Sequence, residues 1–384
     1  MLPGVLVTAF TPVPPRLRSL FQFQESGLIL VVLVLGLGLA IFGGSVRQPV
    51  FEREADGTYA VKRVANAQGQ MVPEIEVKNK FLNARNLVVL AKQTSFIAIM
   101  AVGMSVVIIS GGIDLSVGAI YALASVLGAL VLHYYGPNGG GHAISPWLGV
   151  LMGGVTCVGV GTLCGLANGS LIVGLRMHPF IITLGTMAIL RGIAFVRTTG
   201  QSITDFPPQL QTMVNYEVGG GLSIVPLVVM LLVTIVGAIY LTRLAAGRRV
   251  YAVGGNELAA RFSGINVSRV KLSVYLISGL ATGVAALMAI GCYGAASSSD
   301  GTGYELNVIA AAVVGGASLT GGRGSALGAM LGALIIQMID SGIVTLDLDQ
   351  NYSKIIIGSA IIAAVALDTF NSWLARRRLQ KQAH

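Results

Sequence analysis

Asp114 stands in the stretch "VIISGGIDLSVGA", Val107 to Ala119, between two apolar runs and with no cationic neighbour in sequence. A bare carboxylate among apolar segments is costly, so it is either kept out of hydrocarbon or put to use. Gly111-Gly112 can end one helix, which leaves Asp114 to accept hydrogen bonds from the first amides of the next as an N-cap, with Ser116 in the first turn. The alternative is a carboxylate that lines or gates a solute pathway, or that couples transport to an ion. A similar run, "GGASLT" at 315–320, recurs far downstream, and both runs precede "LGAL". Broken helices of this kind are tolerated in a bilayer where they line a cavity or are buried in protein.

Other polar residues within apolar runs offer weaker chemistry. Asn168, Thr183 and Thr186 can hydrogen-bond a passing polyol, or simply bond between helices. Glu305 and Asn307 open an apolar segment and are expected at its outer mouth, where they would meet a solute or the protein that delivers it. Arg191 either pairs with Glu305 or Asp340 or snorkels. His178-Pro179 marks the start of a span.

Enzyme motifs are missing from the sequence. None of the seven lysines follows a glycine, so there is no GxxxxGK[ST] loop to cradle nucleotide phosphates. HExxH, paired Cys-x-x-Cys and Gly-x-Ser-x-Gly are absent, and His133, His142, His178 and His384 are scattered. Catalysis, a metal and a cofactor are not expected. Cys157 and Cys164 lie seven apart on one apolar segment, as small packing residues of one helix face.

A stronger signal lies in the loop "GRRVYAVGGNELAARFSGINVSRVK". Gly254-Gly255 break the chain, Asn256 can cap, and "ELAARFS" makes about two turns before Gly264 stops them. The result is a short exposed helix whose alanines, Ala259 and Ala260, lie between Glu257 and Arg261. A solvated basic loop would account for the arginines but not for the caps. A small-faced helix suits a groove on another protein.

These residues must be positioned by membrane helices. Of 384 residues 54% are hydrophobic and only 11% charged, under half the roughly 25% of a soluble domain. Apolar segments lie at about 27–43, 87–110, 115–134, 147–174, 179–196, 222–243, 272–291, 305–318, 325–346 and 354–370, and roughly 20 apolar residues cross a bilayer. The sequence therefore predicts an all-α polytopic membrane protein with about ten transmembrane helices. Its 51 glycines, most of them inside apolar blocks, predict a tightly packed bundle with broken helices, because small residues let helix backbones touch.

The net charge of +9 reflects orientation signals, not a nucleic-acid partner. Arg243, Arg248, Arg249, Arg261, Arg269 and Lys271 face the single acid Glu257, and the tail carries Arg376, Arg377, Arg378 and Lys381. The alternate loops hold Asp205, Glu217, Asp300, Asp347 and Asp349 without a base. The positive-inside rule puts the basic loop and both termini in the cytoplasm. The expected organisation is a cytoplasmic segment 1–26, a transmembrane domain 27–370 and a basic tail 371–384. Within the domain, 44–86 is an extracytoplasmic insertion and 244–271 a cytoplasmic loop. In the insertion, "FEREADGTYAVKRV" alternates around an Asp56-Gly57 turn as a hairpin does. It is either inert or a docking surface for a partner outside the cell.

Taken together, "GGIDLSVGA", "HPFIITLGTMAILRG", "YAVGGNELAARFSGINV", "GTGYELNVIAAAVVGGASLTGG" and "GSALGAMLGALI" resemble the permease subunits of bacterial sugar ABC importers of the ribose, xylose and galactose type. The likeness runs over roughly residues 84–370. It implies a multi-pass protein of the cytoplasmic membrane, paired with a second permease chain. An ABC ATPase subunit would bind inside and a sugar-binding protein would dock outside. It further implies that Asn256, Glu257, Ala259, Ala260, Arg261 and Gly264 form the helix that couples to the ATPase. The wider importer pattern E-A-A-x-x-x-G is matched by Ala259, Ala260 and Gly264, while Glu257 sits one position early. The insertion at 44–83 is longer than the family usually shows.

Overall fold

The computed structural model describes residues 23–53, 59–66, 69–141, 145–218 and 222–382. Arg16 and Arg18, the Asp56-Gly57 turn, His142 and His384 lie outside the described residues. Helices dominate. In chain order they are α1 (Phe23–Phe42), α2 (Ala84–Ile109), α3 (Val117–Tyr134), α4 (Pro146–Leu175), α5 (Pro179–Thr198), α6 (Pro208–Val214), α7 (Ile224–Arg243), α8 (Ala245–Gly255), α9 (Glu257–Phe262), α10 (Val267–Tyr293), α11 (Tyr304–Val314), α12 (Ala326–Thr345) and α13 (Asn351–Gln382). The ends follow local chemistry. Asn83, Ser145, Asn266 and Ser325 cap α2, α4, α10 and α12 through side-chain oxygens, and Pro146 and Pro179 open α4 and α5.

Among the described residues, seven helices (α2, α3, α4, α5, α7, α10 and α12) are long and apolar enough to cross a membrane; Ser26–Phe42, Tyr304–Val314 and Asn351–Ala366 are shorter apolar helices. The polytopic helical fold is as expected, with a correction at the eighth segment. At 11 residues α11 reaches about 16 Å, half of a roughly 30 Å hydrocarbon core, so it is a half-helix flanked by irregular backbone. An apolar run of 305–318 concealed this, because burial in protein needs apolar residues as much as lipid does.

The core is built on α2, α3 and α10, which are largely buried; α4, α5 and α7 expose most of their surface. Phe180, Ile181, Leu184, Ile189, Ile193, Phe195 and Val196 all stand out from α5, an apolar surface suited to lipid or to another membrane chain. Glycine sets the closest approach. A Cβ at Gly161, Gly165 or Gly279 would collide with backbone across the α4–α10 contact, and one at Gly283 would lie 2.6 Å from the Cys157 carbonyl oxygen. Cys157 and Cys164 do share a face, packed towards α3 beside Gly128 and Leu123.

Short strands form two peripheral features. β1 (Ser45–Pro49) pairs with β6 (Ile75–Asn79), β2 (Phe51–Arg53) with β3 (Tyr59–Val61), and β4 (Arg63–Ala65) with β5 (Met71–Pro73), all antiparallel. The β2–β3 hairpin is as the alternation predicts, but its register, Glu52↔Ala60, is one residue off the Glu52↔Val61 pairing that a two-residue turn at Asp56-Gly57 would set. The other two ribbons were not anticipated. All three meet in a ring of backbone hydrogen bonds in which Val50 N donates to Glu74 O, Glu74 N to Lys62 O and Lys62 N to Val50 O, each 2.8 Å. Asn79 Nδ2 donates to Ala40 O at 2.7 Å and Lys80 pairs with Asp347, so the insertion is tied to the ends of α1 and α12. A two-residue pair, β7 (Glu217–Val218) and β8 (Leu222–Ser223), precedes α7.

Gly279→Val is expected to lower the thermal unfolding midpoint of the purified chain in detergent, since overpacking costs roughly 1–3 kcal/mol. Gly159→Ala on the same α4–α10 pair of helices meets nothing within 4 Å and should leave the midpoint unchanged. Equal midpoints for both variants would contradict backbone contact as the basis of the packing.

Candidate functional site

The helix α9 is short but fixed at both ends. Asn256 Oδ1 accepts from Ala259 N at 2.9 Å, which is the expected cap. At the other end Ile265 N donates to Ala260 O at 3.0 Å and Gly264 N to Arg261 O at 3.1 Å, a Schellman pair closed by Gly264 at φ +80°. Glu257, one position early for the importer pattern, accepts from Lys271 Nζ at 2.8 Å and Arg261 Nη2 at 3.3 Å, which ties α9 to the first turns of α10.

The alanine face needs correction. Ala259 is exposed, but Ala260 is 4% exposed and packs into the protein's own core, out of a partner's reach. What α9 presents outward is Leu258, 66% exposed, and Phe262, 88% exposed, one turn apart. Sequence reasoning missed both. The available signal was an i, i+4 apolar pair on a capped helix amid charges.

Immediately before α9, the chain is wedged between the two breaks seen in the sequence. Gly322 N donates to Ile109 O at 2.8 Å, which joins the end of α2 to the loop between α11 and α12. A Cβ at Gly254 would collide with the Ile109 carbonyl oxygen and lie 2.7 Å from Gly322 N. One at Gly321 would lie 2.6 Å from Gly254 O and 3.1 Å from Gly111 Cα. Tyr251 Oη donates to Gly324 O at 2.8 Å and Tyr275 Oη to Ile113 O at 3.0 Å. The resemblance of "GGIDLS" to "GGASLT" is thus a spatial one: both loops bear on the segment that leads into α9.

Asp114 is fully buried. Its Oδ1 accepts from Ser116 N at 3.0 Å and Ser116 Oγ at 2.6 Å, while Asn168 Nδ2 lies 3.5 Å away and donates to Ser116 Oγ at 2.7 Å. These three predicted residues come together. The contact closes an Asx turn ahead of α3, whose N-cap is Ser116, so Asp114 orders the approach to the helix and not its first turn. Asp114 Oδ2 and Asn168 Oδ1 have no partner among the described residues.

The remaining candidates lie elsewhere. Thr183 Oγ1 donates to Pro179 O at 3.0 Å and Thr186 Oγ1 to Thr183 O at 3.2 Å, both within α5. Arg191 forms no ion pair with Glu305 or with Asp340, whose partner is Ser353; Arg191 Nη1 donates to Ser298 O at 2.8 Å and Asp300 O at 2.6 Å. Glu305 is half-buried, and its Oε2 lies against Gly118, in the first turn of α3. Asn307 lines a cavity of about 590 Å³ with Asn86, Gln93, Asp340 and Lys354.

Comparison with known proteins fits this architecture. The chain belongs to the family described as branched-chain amino acid transport system / permease component, whose sequence profile matches residues 86–365. It is 36% identical over 301 residues to the D-allose transport system permease protein AlsC of Escherichia coli K12, covering 78% of this chain and 86% of that one. It is 39% identical over 293 residues to the ribose import permease protein RbsC of Bacillus subtilis 168, covering 75% and 86%. A fructose import permease protein, FrcC of Rhizobium meliloti, is 35% identical over 295 residues, covering 75% and 79%. The family match begins beyond the β-ribbon insertion, so the expected resemblance holds for the membrane bundle.

Because Asp114 Oδ1 does the bonding, Asp114→Asn is expected to keep solute uptake at the level of the unaltered chain. Asp114→Ala removes the acceptor and should destabilise the fold by about 1–2 kcal/mol, read as a lower unfolding midpoint. An Asn variant that folds but has lost uptake would show that the charge itself is needed.

Proposed function

We propose that this chain is the permease subunit of an ABC importer that moves a monosaccharide across the cytoplasmic membrane. α9 is the surface for a separate ATPase subunit. The observation that carries this is a doubly capped helix at the end of a membrane bundle with Phe262 and Leu258 almost bare. An unsupported solvent helix has no use for that pair; a docking partner would bury it. The relatives that import ribose, allose and fructose support the sugar. The low share of charged residues suits a neutral, hydroxyl-rich solute.

In this reading α9 lies on the cytoplasmic side with both termini, and the β-ribbon insertion lies outside, where a sugar-binding protein delivers the solute. A second permease chain completes the pathway. Movement of the ATPase displaces α9, and the Gly254 contact carries the displacement to the end of α2 and the loop before α12. No soft side chains intervene, so the two helix breaks move with the docking helix. An ion-coupled carrier built on Asp114 would need that carboxylate to meet water, and it is fully buried.

Co-expression tests the reading. Phe262→Ser is expected to reduce recovery of the ATPase with the permease about ten-fold or more, since burying such a side chain contributes about 1.5–3 kcal/mol. Gly254→Ala should retain the ATPase but transport less solute per ATP hydrolysed, while Gly255→Ala, which meets nothing within 4 Å, behaves as the unaltered chain. Undiminished recovery of the ATPase with Phe262→Ser would remove α9 from the interface.

A further inference from the structure

Between α10 and α11 the chain turns back along α3. Ala296 pairs with Ile203, whose neighbour Thr204 accepts from His133 near the end of α3. Five residues later Gly301 reaches the start of α3, where a Cβ at Gly118 would collide with its carbonyl oxygen. Residues 296–303 are therefore a re-entrant loop alongside a membrane-spanning helix, and α11 starts only at its far end. Irregular backbone at membrane depth persists where it is buried in protein or lines a water-filled cavity. Here there is a cavity of about 190 Å³, lined by Tyr121, Tyr293, Tyr304, Asp300, Ser297 and Ser202. That is below the roughly 300–1,000 Å³ of pockets for drug-sized ligands, and leaves room for one small solute.

The lining is unusual in what it leaves unbonded. Tyr121 is 4% exposed, yet its hydroxyl is not among the closed-off polar atoms and has no hydrogen-bond partner among the described residues. Tyr293, which is exposed, and Tyr304 likewise have no hydroxyl partner among the described residues. The rings are held in place: Tyr121 and Tyr304 lie with centroids 5.4 Å apart at 54°, and Phe96 meets the edge of Tyr293 at 5.8 Å. Asp300 uses Oδ2 to accept from Ser297 N at 2.8 Å, which leaves Oδ1 available. Arg191 grips the loop through the carbonyls of Ser298 and Asp300 and offsets the carboxylate's charge.

We propose that this cavity is a solute site within the permease, where a single neutral monosaccharide packs on the tyrosine rings and exchanges hydrogen bonds with three tyrosine hydroxyls and Asp300. Each tyrosine hydroxyl can donate or accept, as can each sugar hydroxyl, so the match does not depend on one stereoisomer. Aromatic rings supply apolar area to the C–H face of a sugar and a polar tip to its edge. An anionic solute would meet the carboxylate, and a disaccharide would exceed the volume. Binding is weak by construction, as a site that must release its solute requires. The choice of a sugar rests on the permease reading above; the site itself rests on the cavity.

Saturation-transfer NMR on the full chain in lipid nanodiscs tests it, with D-ribose, D-allose and D-fructose each at about 10 mM, a range suited to millimolar affinity. Saturation from the protein is expected for at least one of the three and not for sucrose. In the double variant Tyr121→Phe/Tyr304→Phe the apparent affinity should weaken about ten-fold, from two lost hydroxyls. Ser202→Trp, at an exposed position on the rim, should abolish the signal without touching the core, and it decides the matter if the tyrosine variant does not fold. Equal signals in unaltered and Ser202→Trp chains, or no transfer from any of the three sugars, would overturn the site. The ATPase co-purification does not involve this cavity, so a chain that binds sugar but retains no ATPase would sink the importer reading and leave the site standing.

Discussion

A chain that interrupts its helices inside a bilayer must find partners for the amides and carbonyls it frees, and here the partners are other backbones. Ile109 O at the end of α2 accepts from Gly322 N ahead of α12, and Gly254 is pressed between them without a side chain to separate them. In hydrocarbon an unsatisfied backbone group costs several kcal/mol, so these three segments hold together. The segments on either side of that contact take their positions from it. α9 leaves from it, the Asp114 turn lies just beyond Gly111-Gly112, and α11 is short because the chain must return to meet it.

The same constraint explains the glycines of the bundle. Between α4 and α10 they let carbonyl oxygens lie where methyl groups would otherwise be, which replaces a hydrophobic driving force that lipid does not provide. The buried centre is α2, α3 and α10; α4, α5 and α7 form a more exposed flank. The two cavities meet at the start of α11: Tyr304 borders both, with Asn307 in the larger and Asp300 in the smaller.

Much of this was legible in the sequence, for local reasons. The caps of α9 at Asn256 and Gly264 depend on residues three to eight positions apart, so their types and spacing sufficed. The β2–β3 hairpin was visible in its alternation for the same reason. The meeting of Asp114, Ser116 and Asn168 was half legible: the first two are neighbours, but Asn168 arrives from α4. The inward turn of Ala260 was not legible, because which face of a six-residue helix is buried depends on what lies under it. Nor was the brevity of α11, since apolar composition does not distinguish lipid from protein. Tyr121 is far in sequence from Tyr293 and Tyr304 and the three carry no motif; the re-entrant loop brings them to one cavity.

As the permease of an importer, this chain would be a conduit that does no work of its own. Lipid vesicles containing only this protein, loaded with radiolabelled ribose, allose or fructose on the outside, test that directly. The predicted result is no accumulation above the external concentration until the ATPase subunit and ATP are added. Accumulation against a gradient by this polypeptide alone, with an ion gradient as the only source of energy, would contradict it.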